Sequence, residues 1–241
     1  MVLTPLGLAV AAAAGNLAGA MALVRHERRG LKVIELSLAF GAGFMLAVVL
    51  VGVLPRVFSQ AGPNVALYVL GGYLAVHLAQ HVVVPHFHFG EETHSVSATA
   101  SASALVGLSL HSFFDGVAIA SGFLTSAGLG MLLFFAVLLH KLPEGVAIAS
   151  VTLAGGQTRR RAIAAAGVLG LATVLGALLT EGAEALQQHG LALSAGVTLY
   201  VAASNLVPEF QAKRSWALPV AFFGGALALV LLQVLLEGAG L

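Results

Sequence analysis

Apolar residues come along this chain in long runs separated by short polar breaks. Runs long enough to cross about 30 Å of hydrocarbon as helices begin near residues 4, 33, 65, 103, 128, 162, 191 and 216. An all-α integral membrane protein with eight transmembrane helices is therefore expected, as one domain over residues 1–241. The connections are short except the third. There "PHFHFGEETHSVSATASAS", residues 85–103, is histidine-rich and then small and polar, and reads as a mobile loop. The opening run has the outline of a signal peptide, but its positive charges follow the apolar stretch instead of preceding it, so a retained helix is expected.

Composition agrees with this pattern and narrows the chemistry. Hydrophobic residues make up 59% of the chain and charged residues 9%, and mean hydropathy is +0.99. The formal net charge of +1 offers no basic field for nucleic acid. Cysteine is absent, which excludes disulfides, thiolate metal sites and thiol catalysis. Arg25, Arg28, Arg29 and Lys32 lie between the first and second runs, Arg159, Arg160 and Arg161 between the fifth and sixth, and Lys213 and Arg214 between the seventh and eighth. These connections share one side, and only Arg56 among the loop cations disagrees. The positive-inside rule makes that side cytoplasmic. Both termini are then outside, the 85–103 loop is cytoplasmic, and the host bilayer is the cell (plasma or inner) membrane.

Two of the runs repeat each other. The fourth contains "HSFFDGVAIAS", residues 111–121, and the fifth "HKLPEGVAIAS", residues 140–150. Successive helices run in opposite directions, so the pair is inverted. A weaker match joins "AGFMLAVVLVGVLP" in the second run to "AGVTLYVAASNLVP" in the seventh, with Pro twelve residues after Gly in both. Inverted repeats with polar groups near the midplane are the pattern of secondary transporters.

The repeated segments also carry the ionisable groups. Residues four apart share a helix face, so His111 with Asp115, and His140 with Glu144, form two clips of imidazole and carboxylate. Facing each other, they provide four N/O ligands suited to first-row divalent ions, Zn2+ foremost, then Fe2+, Mn2+ and Co2+, with Cd2+ as a mimic. Carboxylates at this depth cost several kcal/mol unless paired, so the cluster argues for function. Pro143 frees the carbonyl of Leu139, and Gly116 and Gly145 permit close helix approach.

With these motifs the chain resembles the ZIP (Zrt/Irt-like) family of divalent metal transporters, in its bacterial type. "HSFFDG" and "HKLPEG" carry most of the likeness, supported by "GAGFMLA" and "LYVAASNLVPE". The resemblance implies eight helices, outside termini, a variable histidine-rich cytoplasmic loop, and metal binding by His111, Asp115, His140 and Glu144. It places Met45 where the second helix approaches the site, as a weak thioether ligand or as packing. Two departures stand out. Where the family commonly has Asn and an acid beside the two histidines, forming a second metal site, this chain has Ser112 and Lys141, and its sixth run has no acid. One ion is therefore expected, with the Lys141 ammonium standing as a tethered cation in place of the second.

Further residues extend the path. His77, His81, His86, His88 and His94, with Glu91 and Glu92, are either solvated side chains or N/O ligands toward a cytoplasmic exit, and Glu209 is an interfacial charge or part of that exit. Glu181, Glu184 and His189 lie near the outer ends of the sixth and seventh runs, where a wetted helix end is the first reading and a raised local cation concentration the second. The expected function is transport of divalent ions into the cytoplasm by alternating access. The alternatives are an intramembrane metal-dependent hydrolase, against which the absence of H-E-x-x-H counts, and a membrane metal sensor that moves no ions. No catalytic residue and no resident cofactor is expected. The metal ion is cargo, the lipid bilayer is the other partner, and a homodimer is the oligomer considered.

Overall fold

The computed structural model describes residues 4–25, 31–60, 62, 64–80, 98–208 and 215–238. They form helices and no strand: α1 Pro5–Arg25, α2 Leu31–Ala47, α3 Leu54–Gln60, α4 Val65–Leu78, α5 Ala98–Thr125, α6 Ala127–Ala154, α7 Arg159–Gly182, α8 Glu184–Tyr200 and α9 Ala217–Gly238. Six helical spans are long and apolar enough to cross a membrane, with α2 and α3 counted as one continuous rod. The predicted runs near residues 65 and 191 correspond to α4, a shorter apolar helix, and to α8.

Local sequence explains the boundaries. Ser126 breaks α5 from α6 in extended conformation and accepts the Leu129 N–H at 3.1 Å, and Thr158 caps α7 through the Arg161 N–H at 3.3 Å. Between α6 and α7 the chain turns at Gly156, whose φ of 74° suits glycine. The start of α5 corrects the expected loop, because residues 98–103 are already helical. Their small residues tolerate a helix, and Ser101 is buried against Gly155.

The two weakly matched segments share an unusual feature. A π-helical stretch, Val48–Val53, joins α2 to α3, and another, Val201–Leu206, continues α8. Each begins five residues after the matched glycine, Gly43 or Gly196, and ends two residues before the matched proline, Pro55 or Pro208. A proline removes a donor and crowds the carbonyl one turn back, so widening the preceding turn relieves both effects.

The helices pack as two groups, α1, α5, α6 and α7 in one, and α2, α3, α4, α8 and α9 in the other. Reciprocal glycine contacts bind each group. A Cβ on Gly145 would strike the Asn16 carbonyl, and one on Gly19 the Leu142 carbonyl, locking α1 to α6. Gly116 and Gly176 lock α5 to α7, Gly43 and Gly225 lock α2 to α9, and Gly72 and Gly196 lock α4 to α8. Such backbone approaches give transmembrane helices their packing energy. All four lie within a group. Between groups the seam runs along α5 with α8 and α2 with α6, where Ser194 donates to the Phe114 carbonyl at 3.0 Å.

Candidate metal centre

His111 and Asp115 lie one turn apart on α5, and His140, Lys141 and Glu144 lie on α6 beside them. All five are buried, with Lys141 fully so. One ligand atom each of His111, Asp115 and His140 falls within 4.8 Å of the others. Asp115 Oδ2 is the hub, 3.4 Å from His111 Nε2, 3.2 Å from His140 Nε2 and 2.8 Å from Lys141 Nζ. The His140 Nδ1–H donates to the Ala136 carbonyl at 2.8 Å, which orients the ring and leaves Nε2 to face the carboxylate. His111 Nδ1, also buried, has no hydrogen-bond partner among the described residues.

Lys141 takes the other side of the cluster. Besides Asp115, its ammonium donates to Glu144 Oε2 at 2.6 Å and to Ser112 Oγ at 2.8 Å. Three donors thus meet three acceptors. Ser112 in turn donates to Glu144 Oε1 at 2.7 Å. Glu144, expected as the fourth ligand of the pair of clips, therefore has both oxygens engaged, although it lines the same cavity as the two histidines. Sequence reasoning missed Asn16, which is fully buried on α1 and whose amide nitrogen, oriented toward acceptors, donates to Glu144 Oε2 at 3.2 Å. A lone carboxamide within the apolar run "AAAAGNLAGA" was the available signal.

The cavity beside His111, His140 and Glu144 measures about 30 Å³. Gln80 from the end of α4 and Asn205 from the π-helical end of α8 line its far side, two further polar residues not singled out from sequence. It lies toward the end of the bundle bearing the Arg159–Arg161 cluster, between the N-terminal half of α5 and the C-terminal ends of α4, α6 and α8. On the opposite side of the site, Phe44, Val48, Ala118, Leu132, Ala136 and Ala195 belong to one buried apolar cluster that draws from both helix groups.

Met45 is buried in a neighbouring apolar cluster with Val76, Tyr200 and Leu206. His77 is exposed and meets the Tyr200 ring edge-on at 5.7 Å between centroids. His81, His86, His88, His94 and Glu209 lie outside the described residues.

The sequence pattern described as ZIP Zinc transporter matches residues 88–233, more than half of the chain. The zinc transporter ZupT of Escherichia fergusonii is 33% identical over 189 residues, 73% of this chain and 72% of that protein. The chain belongs to the ZIP family. Zinc transporter ZIP9 of Micropogonias undulatus is 32% identical over 152 residues, 57% of this chain and 49% of its own length. Human zinc transporter ZIP6 is 34% identical over 118 residues, 46% of this chain and 15% of its own length. The chain thus spans about half the length of its ZIP9 relatives and less of ZIP6. The matched ZIP region contains both α5 and α6, the helices that carry the buried histidines and carboxylates. These named relatives are transporters, not enzymes.

Proposed function

We propose that this ZIP-family chain carries divalent transition-metal ions, zinc foremost and iron, manganese, cobalt or cadmium as other cargo, across the cell membrane into the cytoplasm. The observation that carries the reading is the buried convergence of His111 Nε2, His140 Nε2 and Asp115 Oδ2 on one point. Two imidazole nitrogens and a carboxylate oxygen make three ligands of a Zn2+ site, and a fourth position open to the cavity suits an ion in transit. Glu144 is the fourth protein ligand once Lys141 releases it, and Met45, buried on α2, is the weak thioether ligand of the reading. Lys141 is the tethered cation. With Asp115 and Glu144 ionised it leaves about −1 for the incoming ion, which favours one ion and its release.

The surrounding architecture is read as eight spans, α2 with α3 forming the second and α8 with its π-helical extension the seventh, with both termini outside. The glycine-locked groups are the two bodies whose relative motion alternates access, because the tight backbone contacts lie within them and not across the seam. The cavity leading past Gln80 and Asn205 is the cytoplasmic exit of the conformation described, and the segment before α5 with His86, His88 and His94 receives the ion there.

Uptake into proteoliposomes of this chain tests the reading. Saturable entry of Zn2+, abolished by His140→Ala or Asp115→Asn in correctly inserted protein, is expected. Binding of Zn2+ without entry would overturn it.

A further inference from the structure

A second cavity, of about 440 Å³, opens at the end of the bundle opposite the arginine-bearing connections, between α3, α4, α5 and α8. Its polar lining is formed by Asn64, Tyr68, Ser121, Thr125, Gln187, Gln188 and His189, and none of its lining residues carries a fixed charge. Four side chains of this lining each direct one donor into the protein. Gln187 Nε2 donates to the Glu181 carbonyl at 2.8 Å, and Gln188 Nε2 to Glu184 Oε1 at 2.9 Å. Thr125 donates to the Ser121 carbonyl at 3.1 Å and Ser121 to the Leu186 carbonyl at 3.5 Å. The carboxamide oxygens of Asn64, Gln187 and Gln188 and the hydroxyl oxygens of Ser121 and Thr125 are left to accept from an occupant.

His189 adds a ligand. Its ring stacks on Tyr68 with centroids 3.9 Å apart and planes 9° from parallel, which fixes the imidazole plane. Neither ring nitrogen is hydrogen-bonded by a described residue. Glu181 and Glu184 stand exposed beside the mouth and make the local potential negative. Arg56, the basic residue of α3, is turned back onto the Gly52 carbonyl at 2.6 Å.

An uncharged chamber rich in side-chain oxygens, with one imidazole and an acidic mouth, complements a cation that presents water hydrogens. Size makes the same selection. At about 10–15 Å³ of free cavity space per water, the 440 Å³ chamber holds a shell of six waters and the 30 Å³ inner cavity does not. We propose that this outer cavity captures the hydrated divalent ion, His189 being the first protein ligand to replace one of its waters. This rests on the transport reading for its purpose but not for its detection.

The probe is Co2+ alone, whose visible absorption separates water-rich octahedral from tetrahedral coordination. Intact protein in detergent should bind a weak octahedral ion in addition to the tetrahedral inner one, and His189→Ala should lose only the former. A variant lacking the inner ligands, His140→Ala with Asp115→Asn, should keep the octahedral ion. In proteoliposomes His189→Ala should raise the KM for uptake about tenfold, as loss of one supporting metal contact does, with the maximal rate retained. Octahedral binding unchanged in His189→Ala, or no octahedral ion in intact protein, overturns the proposal. If the octahedral ion is present and His189-dependent but intact protein takes up no metal, capture stands and transport fails.

Discussion

Replacing Lys141 by Met removes the ammonium while keeping most of the side chain's bulk, and its effect on metal affinity follows from distances at the site. Asp115 Oδ2 is 2.8 Å from Lys141 Nζ, and a zinc ion bound to that oxygen lies about 2.0–2.2 Å from it. Ion and ammonium are then at most about 5 Å apart. At an effective dielectric constant near 20, a charge of +2 facing +1 at that distance costs about 7 kcal/mol before screening. If four-fifths of this is relieved by relaxation and water, about 1.4 kcal/mol remains, a tenfold change in affinity. Lys141→Met should therefore bind Zn2+ at least about tenfold more tightly and release it more slowly, as read by competition against a chromophoric chelator. The metal-free variant should be less stable by about 3–5 kcal/mol, because Asp115 and Glu144 lose a buried partner. Saturating Zn2+ should restore its melting temperature. A folded Lys141→Met protein with wild-type zinc affinity would refute the tethered-cation reasoning.

Other outcomes follow from the same geometry. Gly72→Ala should cost about 1–3 kcal/mol, since its Cβ would strike the Leu193 carbonyl. Gly71→Ala, whose Cβ meets only the Leu193 side chain at 3.9 Å, should be neutral or stabilising by a few tenths of a kcal/mol, and thermal shift in detergent compares the two. Lys141→Asp combined with Ser112→Asn should admit a second ion, counted by anomalous scattering. In this naturally cysteine-free chain, Val2→Cys should react with impermeant thiol reagents from outside and Ser95→Cys should not. The opposite labelling would reverse the assigned direction.

Much of this was legible because bilayer physics leaves strong marks. An apolar run without charge reads as a membrane helix whatever packs on it, which is why α1, α6 and α7 were foreseen. The His-x3-acid spacing placed His111 with Asp115 without knowledge of the partner helix. Less was legible where the answer depends on which helices touch. Asn16 reaches Glu144 only because Gly145 lets α1 approach α6 so closely. Lys141 meets Glu144 within α6, as their spacing of three implies, but the Ser112 bond to the other Glu144 oxygen required the α5–α6 register. The π-helical stretches before Pro55 and Pro208 were visible only as a weak sequence match, because proline spacing alone does not say how the preceding turn accommodates it.

The apolar layer between the two cavities supplies the last step. Phe44, Val48 and Ala195 come from one helix group and Ala118, Leu132 and Ala136 from the other, so under the proposed alternating access this layer must part whenever the site faces outward. Its strength therefore sets how rarely that happens. Leu132 is almost fully buried, and Leu→Ala in such a place costs about 2–5 kcal/mol. If half of the lower figure falls on contacts across the seam, the closed layer loses about 1 kcal/mol, and the outward-open population rises about fivefold. A cysteine just beneath the layer reports this. Met45 lies on α2 one turn inward of Val48, and Met45→Cys should react with an external impermeant thiol reagent several-fold faster when combined with Leu132→Ala. Zn2+ that stabilises the outward-facing site would speed the reaction further, and Zn2+ that favours the inward-facing one would slow it. Equal labelling rates with and without the Leu132→Ala substitution, in proteins of equal thermal stability, would mean that the layer is packing and that the ion passes the seam elsewhere.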